Sequence, residues 1–378
     1  MWRSAGVGRS ARARPAVYRT LGLLDAAGNL NLEKATQTLA AEAMLWRGNP
    51  LEADMQQMLA KFYFREGAYR SGFETVKQAV ANYPESPPVN ALRDQAQQVF
   101  SDLYLNGLAD KLGPVDALGL YYDFRQLTPP GAKGDEMIRN LARRLVKVDL
   151  LAQAAQLLDY QLQNRLRGVA RTQLAADLAV IYLADRKPQE ALRVLNETRL
   201  PDITPSLARQ RRILEARALI DGGRDQLALD VLNGVDGQDA ELLRVDAKWK
   251  GRRYDEAGEL IEAMVSSQNP DGALGQTTRM NIIKAAVGFV LSGDDFGSAR
   301  LRDKFSDRMV TTPEWPMFDY VTGKITTTSL QFKKIASEVA GMDSLNAFLD
   351  SYRQVYGEGG SVAPAVASKG NGALASAN

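Results

Sequence analysis

The sequence contains no cysteine and no histidine among its 378 residues. Their absence excludes thiol nucleophiles, serine–histidine–aspartate triads and the zinc sites that cysteine and histidine build. It also removes the side chain best suited to proton transfer near neutral pH. Carboxylate and lysine chemistry remain open, but the acidic residues are scattered and no glycine-rich phosphate loop is present. The sequence therefore predicts a protein that is not an enzyme and that binds no metal or cofactor.

Long apolar runs and a strong net charge are missing as well. The longest apolar runs, such as residues 178–184 and 285–291, are far shorter than the roughly 18 residues that a membrane-spanning helix needs. The formal net charge is +2, so no overall field favours nucleic acid or a membrane surface. We therefore expect protein partners and no membrane span.

A small side chain returns along the chain at a spacing of 37 residues. The series runs through Ala35 and Gly72, and again through Ala117, Ala154, Ala191 and Ala228. A fixed period between about 20 and 50 residues is typical of stacked repeats and not of one closed core. The spacing slips to 45 between Gly72 and Ala117 and to 29 between Ala228 and Ala257, which predicts an irregular array. The alternative is an all-α bundle in which the spacing is accidental.

The pattern between these positions is helical. Apolar residues recur at helical spacing, and glycine or proline interrupts them every 12–18 residues or so. No run of alternating β-branched residues is long enough to predict a strand. Two antiparallel helices approach closely only where one side chain is small, so the recurring alanine or glycine marks a helix crossing.

The segment from Leu51 to Pro84 carries the clearest repeat. Its motif residues are, in chain order, Leu59, Ala60, Tyr63, Gly67, Tyr69, Gly72, Val76, Ala79 and Pro84. The segment resembles the tetratricopeptide-repeat family, whose pattern is Leu-Gly-x2-Tyr, then Ala-x3-Phe, then proline. Ala60 stands for the glycine of the pattern, Gly72 for the alanine and Val76 for the phenylalanine. Fainter copies include Leu178, Ala179, Tyr182, Ala191 and Leu195, with Phe296 and Ala299 marking the last second helix.

The resemblance implies an all-α fold, a right-handed α-solenoid of about seven to eight TPR-like antiparallel helix pairs. Residues 15–310 form the repeats in this prediction, after a disordered basic arm over residues 1–14. Residues 311–356 form an irregular segment and a C-terminal helical cap, because a solenoid must cover its last helix. Residues 357–378 are mostly glycine, alanine and serine, which predicts a disordered tail.

The cap segment begins with an aromatic stretch that contains Pro313, Trp315, Pro316, Phe318 and Tyr320. Two short helices are expected after it, over residues 329–340 and 343–356. The alternative interpretation of the aromatic stretch is a binding motif.

Basic residues on first helices are the candidate partner-binding residues. In the tetratricopeptide family, first-helix residues line the concave groove. The resemblance places seven residues there: Lys61, Phe64, Arg65, Arg139, Arg143, Lys147 and Arg217. A basic groove would suit an acidic peptide or a chain terminus. The alternative is that these charges form an ordinary solvated helix face.

The predicted function is a non-enzymatic scaffold or adaptor that binds protein segments in its groove. A second hypothesis is a structural subunit of a larger bacterial envelope or motor assembly. Such a subunit would pack, as a homo- or hetero-oligomer, through an N-terminal end that lacks a cap in the sequence. A third is nucleic-acid binding, suggested by the basic run around Trp249 from Lys248 to Arg253.

The compartment is left open by the sequence. A cytoplasmic location is favoured if Met1 is the true start of the chain, and an envelope or periplasmic location if the chain is part of a longer exported protein. The alanine-rich, cysteine-free composition suggests a bacterial source.

Overall fold

The computed structural model describes residues 5–45, 50–268, 274–323, 327, 329–340 and 344–356, and for residues 5–14, 45, 50 and 268 it describes the backbone alone. Within these ranges the chain is helical and has no β-strand. The chain divides into two compact units, Met1–Leu141 and Ala142–Asn378.

The described part of the first unit contains six helices, two short 3-10 turns and the start of a seventh helix that continues into the second unit. Proline occupies the first turn of α5 and of α6, where its missing N–H leaves no helical hydrogen bond unmade. The helices are α1 (Ala5–Ala26), α2 (Leu32–Leu45), α3 (Pro50–Glu66), α4 (Tyr69–Asn82), α5 (Pro87–Leu105), α6 (Pro114–Asp123) and α7 (Ala132–Lys147), and the 3-10 turns are Leu108–Lys111 and Arg125–Leu127.

The second unit continues from the last part of α7. Its further helices are α8 (Leu151–Asn164), α9 (Gly168–Ala184), α10 (Pro188–Glu197), α11 (Pro205–Asp221), α12 (Asp225–Leu232), α13 (Gln238–Lys250), α14 (Tyr254–Gln268), α15 (Gln276–Ser292), α16 (Asp295–Met309), α17 (Trp315–Val321), α18 (Leu330–Ala340) and α19 (Ser344–Tyr356). Side-chain caps begin three of them: Leu207 donates its N–H to the Thr204 hydroxyl at 3.3 Å, Gly297 donates to the Asp294 carboxylate at 2.9 Å, and Phe332 donates to the Ser329 hydroxyl at 3.2 Å.

One turn geometry joins the two helices of most pairs. In seven turns a residue with positive φ is followed by an N–H that bonds the carbonyl oxygen five residues earlier, which is the Schellman motif. The positive-φ residues are Gly28, Gly67, Asp149, Arg186, Gly223, Arg252 and Gly293. Because this motif ends a helix and reverses the chain within a few residues, it makes consecutive helices antiparallel neighbours. Helices α5 and α6 are joined by a longer connection. The Tyr104 hydroxyl of α5 donates a hydrogen bond to the Ala117 carbonyl of α6 at 2.9 Å.

The small residues at the 37-residue spacing are all buried, as the sequence predicted. Ala117, Ala154, Ala191 and Ala228 have no exposed surface. Each is the fourth residue of a second helix, where the helix crosses its partner. In the last pair the buried residues at this place are Gly297 and Ser298, whereas Ala299 and Phe296 are exposed. The expected Phe296–Ala299 marker is therefore displaced from the crossing.

Aromatic rings fill the core of the first unit. Phe73 is central, with ring centroids 5.0 Å from Phe64, 5.5 Å from Phe100 and 5.2 Å from Phe124. Such tilted and edge-on pairs add stability beyond the burial of their area. The rings join α3, α4 and α5 at the crossing that Gly72 opens.

The C-terminal helices differ from the expected cap. The aromatic stretch is not irregular, because it forms α17, in which Phe318 is fully buried. Helices α17 and α18 pack against α15. Helix α19 instead contacts α9 and α13, which belong to earlier pairs. Helices α17 and α18 therefore lie beside the last helix pair, where the cap was predicted, whereas α19 packs on earlier helices.

The predicted chain ends lie partly outside the described residues. Helix α1 begins at Ala5, so residues 5–14 are helical where a disordered arm was expected. Residues 1–4 and the expected tail over residues 357–378 fall outside the description. The right-handed superhelix stays a prediction.

Candidate partner-binding surfaces

Lys61 and Arg65 lie one turn apart on α3 and share a carboxylate. Lys61 Nζ is 3.6 Å from Asp25 Oδ2, and Arg65 donates a hydrogen bond to Asp25 Oδ1. The hydrogen bond from Arg65 is the main cause that holds the pKa of Asp25 below its usual range. Both cations remain about half exposed. They form a surface group that is partly neutralised within the first unit.

Phe64 does not belong to an open surface. Its side chain is buried, and its ring packs on Phe73 and directly over Gly72. The expectation that Phe64 contacts a partner is therefore corrected, because its ring is packed against α4 and is not accessible to a partner.

The three basic residues of α7 fall on both sides of the division between the units. Arg139 lies in the first unit, and Arg143 and Lys147 lie in the second. Arg139 and Arg143 are half-buried, whereas Lys147 is exposed. Their role in binding stays a prediction.

Arg217 is the most deeply buried of the candidate cations. Its side chain is 1% exposed, and its guanidinium lies 2.9 Å from Asp221 Oδ1 and 3.3 Å from Asp246 Oδ2. The guanidinium also sits over the Phe348 ring, 5.5 Å from the ring centroid. Arg217 therefore cannot meet an incoming acidic peptide in this structure, which corrects the sequence expectation, because α19 covers it.

The surface that α19 covers is made by first helices of the second unit. We call it the first-helix face; it comprises α9, α11 and α13, which contact one another in order. The side chains that α19 buries on its inner side are Leu345, Phe348, Leu349 and Tyr352. They follow helical spacing, so one apolar stripe of α19 is buried in the second unit.

Two tyrosine hydroxyls add polar contacts to this stripe. Gln210 Nε2 donates to the Tyr352 hydroxyl at 2.6 Å. Burial raises the pKa of Tyr352, so the hydroxyl stays protonated. Tyr356 bonds Arg209 and also lies 3.4 Å from the Asp239 carboxylate. Burial and the charge of Asp239 raise the pKa of Tyr356 to about 12.

A cleft of about 340 Å³ remains beside α19. Its apolar wall includes Leu242, Val245, Ile261 and Met264, and its polar end includes Asp246 and Lys284. The α19 residues that line it include three small ones, Ser344, Ala347 and Ser351. The volume lies in the lower range of ligand-sized pockets.

The basic run around Trp249 is largely paired within the second unit. Arg253 donates to Glu256 at 2.6 Å, Lys248 also bonds Glu256, and Lys250 Nζ lies 3.1 Å from Asp221 Oδ1. The hydrogen bonds from Arg253 and then Lys248 lower the pKa of Glu256 to about 2. This pairing weakens the nucleic-acid hypothesis, since paired cations release fewer counterions on binding phosphate.

The described residues contain no cluster of acidic residues with the geometry of a metal site. Among the same residues no helix combines the length and the apolarity needed to cross a bilayer.

No protein-family model and no characterised protein sequence matches the chain. Among solved structures it is similar to a chain of the Naa15/Naa10 complex bound to HypK-THB, with 16% identity and a TM-score of 0.46, over 93% of this chain and 53% of that chain. It thus spans about half the length of that protein. The TPR domain of P58(IPK) is similar at 12% identity and a TM-score of 0.23, over 93% of this chain and 95% of that one.

The fold is a tetratricopeptide-like array of helix pairs. Its basis here is the chain itself: the seven Schellman turns and the buried small residues that follow them.

The residues that hold α19 were missed from the sequence. They are Arg209, Gln210, Asp239, Phe348, Tyr352 and Tyr356. The sequence does show that α19 has a complete apolar stripe, which predicts that this helix is buried on one side. Because α19 follows the last repeat, the repeat pattern does not predict the helix against which it packs. Nothing in the sequence indicates that its neighbour lies more than a hundred residues upstream.

Proposed function

We propose that this chain is a non-enzymatic scaffold that binds protein segments on the exposed faces of its helix pairs. The observation that carries the proposal is the seating of α19 on the first-helix face. Helix α19 lies against α9 and α13, and α11 and α13 supply side chains to it, which is the way in which a repeat array recognises a helix or peptide. The energy for binding comes from apolar burial and matched polar groups, without covalent chemistry.

We further propose that basic first-helix residues contribute charge to this binding. The proposal keeps Lys61 and Arg65 in the first unit and Arg143 and Lys147 in the second, together with Arg139. Charge matching of this kind raises association rates and selects acidic partners more than it raises affinity. Phe64 and Arg217 are left out because their side chains are buried.

The experiment is affinity capture by the full chain, with partners identified and then tested as purified proteins. Two charge-reversed variants, Lys61→Glu/Arg65→Glu and Arg143→Glu/Lys147→Glu, are compared with the unchanged chain. A matched control, Lys77→Glu/Lys111→Glu, changes two exposed lysines that lie outside the first helices. We expect at least one charge-reversed variant to bind more weakly and with a smaller salt dependence than the unchanged chain. The control variant should bind as the unchanged chain does. If both reversed variants bind every partner as the unchanged chain does, the basic surfaces are not the binding sites.

The alternative, a structural subunit of a larger assembly, is distinguished by size-exclusion chromatography with light scattering. A concentration-dependent oligomer of the full chain would favour it, and a monomer at all concentrations would count against self-assembly.

A further inference from the structure

We propose that α19 occupies the binding site of a partner helix on the first-helix face. This partner carries large aliphatic side chains where α19 has small ones. The inference rests on the proposed scaffold function and deepens it by naming the chemistry of one partner. It is built from the seating of α19 and from the cleft beside it, both within the second unit.

Helix α19 behaves as a ligand of the first-helix face in the way it is held. Its polar contacts join side chains to side chains: Gln210 donates to Tyr352, Arg217 donates to the Ser344 hydroxyl at 3.2 Å, and Tyr356 contacts Arg209 and Asp239. Any helix that presents the same side chains at the same spacing would meet the same groups. The preceding helix, α18, packs on α15, so α19 can leave without taking α18 with it.

The cleft shows that α19 fills this surface incompletely. Ser344, Ala347 and Ser351 are spaced by three and four residues, so they share one side of the helix. That side lines the cleft together with Leu242 and Met264. Leu242 and Met264 stay partly exposed beside these small side chains, and a partly exposed apolar pocket is where a larger anchor residue gains affinity.

The partner is therefore an amphipathic helix that keeps the tyrosine and phenylalanine contacts of α19 and adds leucine, or a residue of similar size, at the positions of Ala347 and Ser351. A resident helix that leaves a cleft is the weaker occupant of the two. It keeps the face covered in the free chain and yields to the better-fitting helix, whose apparent affinity is reduced by the fraction of time the face is covered.

The test uses the full chain with one reporter and three peptides. Because the chain has no cysteine, Gln354→Cys on the exposed side of α19 accepts a single fluorophore. The peptides span residues 344–356: the natural sequence, a copy with Ala347→Leu and Ser351→Leu, and a control with Gln354→Leu, an exposed position one turn beyond Ser351 that does not line the cleft. Leucine is no better than alanine as a helix former and better than serine by only about two-fold in an equilibrium constant, so a ten-fold gain would report the cleft and not helix propensity.

We expect the doubly substituted peptide to bind at least ten-fold more tightly than the other two and to lower the fluorescence anisotropy of the label as α19 is released. Equal binding of all three peptides, or binding without release of α19, would overturn the proposal. In a chain with Phe348→Ala and Tyr352→Ala the resident is weakened, and every peptide should bind at least ten-fold more tightly than to the unchanged chain.

Hydrogen exchange on the unaltered chain gives a second measurement that does not depend on a variant folding. Amides of α19 should exchange at least ten-fold faster than those of α15, because α19 opens without unfolding the unit. Equal protection would make α19 an integral core helix and overturn the proposal. Dimerisation of the Phe348→Ala/Tyr352→Ala chain would also overturn the proposal, because it would show that the first-helix face binds a second copy of this chain.

These results are separable from those on the scaffold function. If purified partners bind the full chain but the leucine peptide does not, the scaffold stands and this inference falls. If the leucine peptide binds while no protein partner is found, the helix-binding site under α19 is supported and the scaffold function is not.

Discussion

Replacing Gly72 with alanine tests whether the small residue at a helix crossing is a steric requirement. A Cβ at this position would lie 2.5 Å from Phe64 Cε1 and 2.6 Å from Phe64 Cδ1. Carbon atoms in contact are ordinarily about 3.5–4.0 Å apart, so the overlap is about 1 Å. The Phe64 ring has little room to withdraw, because it packs on the buried Phe73.

Two effects oppose each other in this variant. Alanine is a better helix former than glycine by about 1 kcal/mol, whereas overpacking a core costs about 1–3 kcal/mol. We therefore expect the Gly72→Ala variant to be less stable than the unchanged chain by about 1 kcal/mol. Gly119→Ala is the matched control in the same unit, since its Cβ would lie 3.5 Å from the end of the flexible Arg70 side chain. It should keep most of the helix-propensity gain, so the two variants should differ by about 1–3 kcal/mol.

Urea unfolding followed by circular dichroism gives the stability of each variant. The chain has two compact units and its unfolding need not be one transition, so hydrogen exchange of α3 and α4 should accompany it. A Phe64→Leu substitution in the Gly72→Ala background should restore part of the loss, and the double-mutant cycle isolates the clash. If Gly72→Ala stabilises the chain as much as Gly119→Ala does, the crossing has no steric requirement and the meaning assigned to the 37-residue spacing is wrong.

Three further predictions concern turns, pH and the buried cation. Asp149→Gly and Arg252→Gly should each stabilise the chain by about 1 kcal/mol in urea unfolding, since both residues have positive φ, which costs a non-glycine residue about 1–2 kcal/mol; no gain at either turn would contradict this. Because the pKa of Glu256 is lowered from 4.5 to about 2, its contribution to stability is present above about pH 4.5 and is lost between there and pH 2. Thermal melts should show a smaller loss in this window for Glu256→Gln, and an unchanged acid slope would refute the assignment. Arg217→Met should lower the free energy of unfolding by about 1–3 kcal/mol, because it removes the buried cation between Asp221 and Asp246, which keep only Lys250 and Lys284; a loss under about 0.5 kcal/mol would mean that the two lysines compensate.

The helix pairs could be predicted from the sequence because the forces that make them are local. A positive-φ residue ends one helix, and the chain then needs a small residue at the next crossing. In six turns the buried small residue comes five positions after the positive-φ residue, as with Gly67 and Gly72 or Arg186 and Ala191. Both requirements act within a few residues, so their spacing survives even where the rest of the motif has diverged.

The candidate site could not be predicted because its burial is decided by distant parts of the chain. Arg217 stands on a first helix and would be a groove residue if α19 did not cover it. Phe64 faces inward because Gly72 leaves room for its ring, whereas the corresponding positions elsewhere carry alanine or, in the last pair, Ser298. A glycine in place of the usual alanine was the one local sign that a large side chain fills that crossing.

The charged groups under α19 explain how this face can be both covered and open. Arg217 lies between Asp221 and Asp246, and Lys250 and Lys284 reach the same carboxylates at 3.1 Å and 3.3 Å. A purely apolar surface of this extent would promote aggregation when α19 left. A network of three cations and two carboxylates that pair with one another is instead hydrated by water when exposed and strengthened by the lower dielectric when covered. The free-energy gap between the two states is thereby reduced, and a helix with modestly better fit in the neighbouring cleft is enough to reverse it.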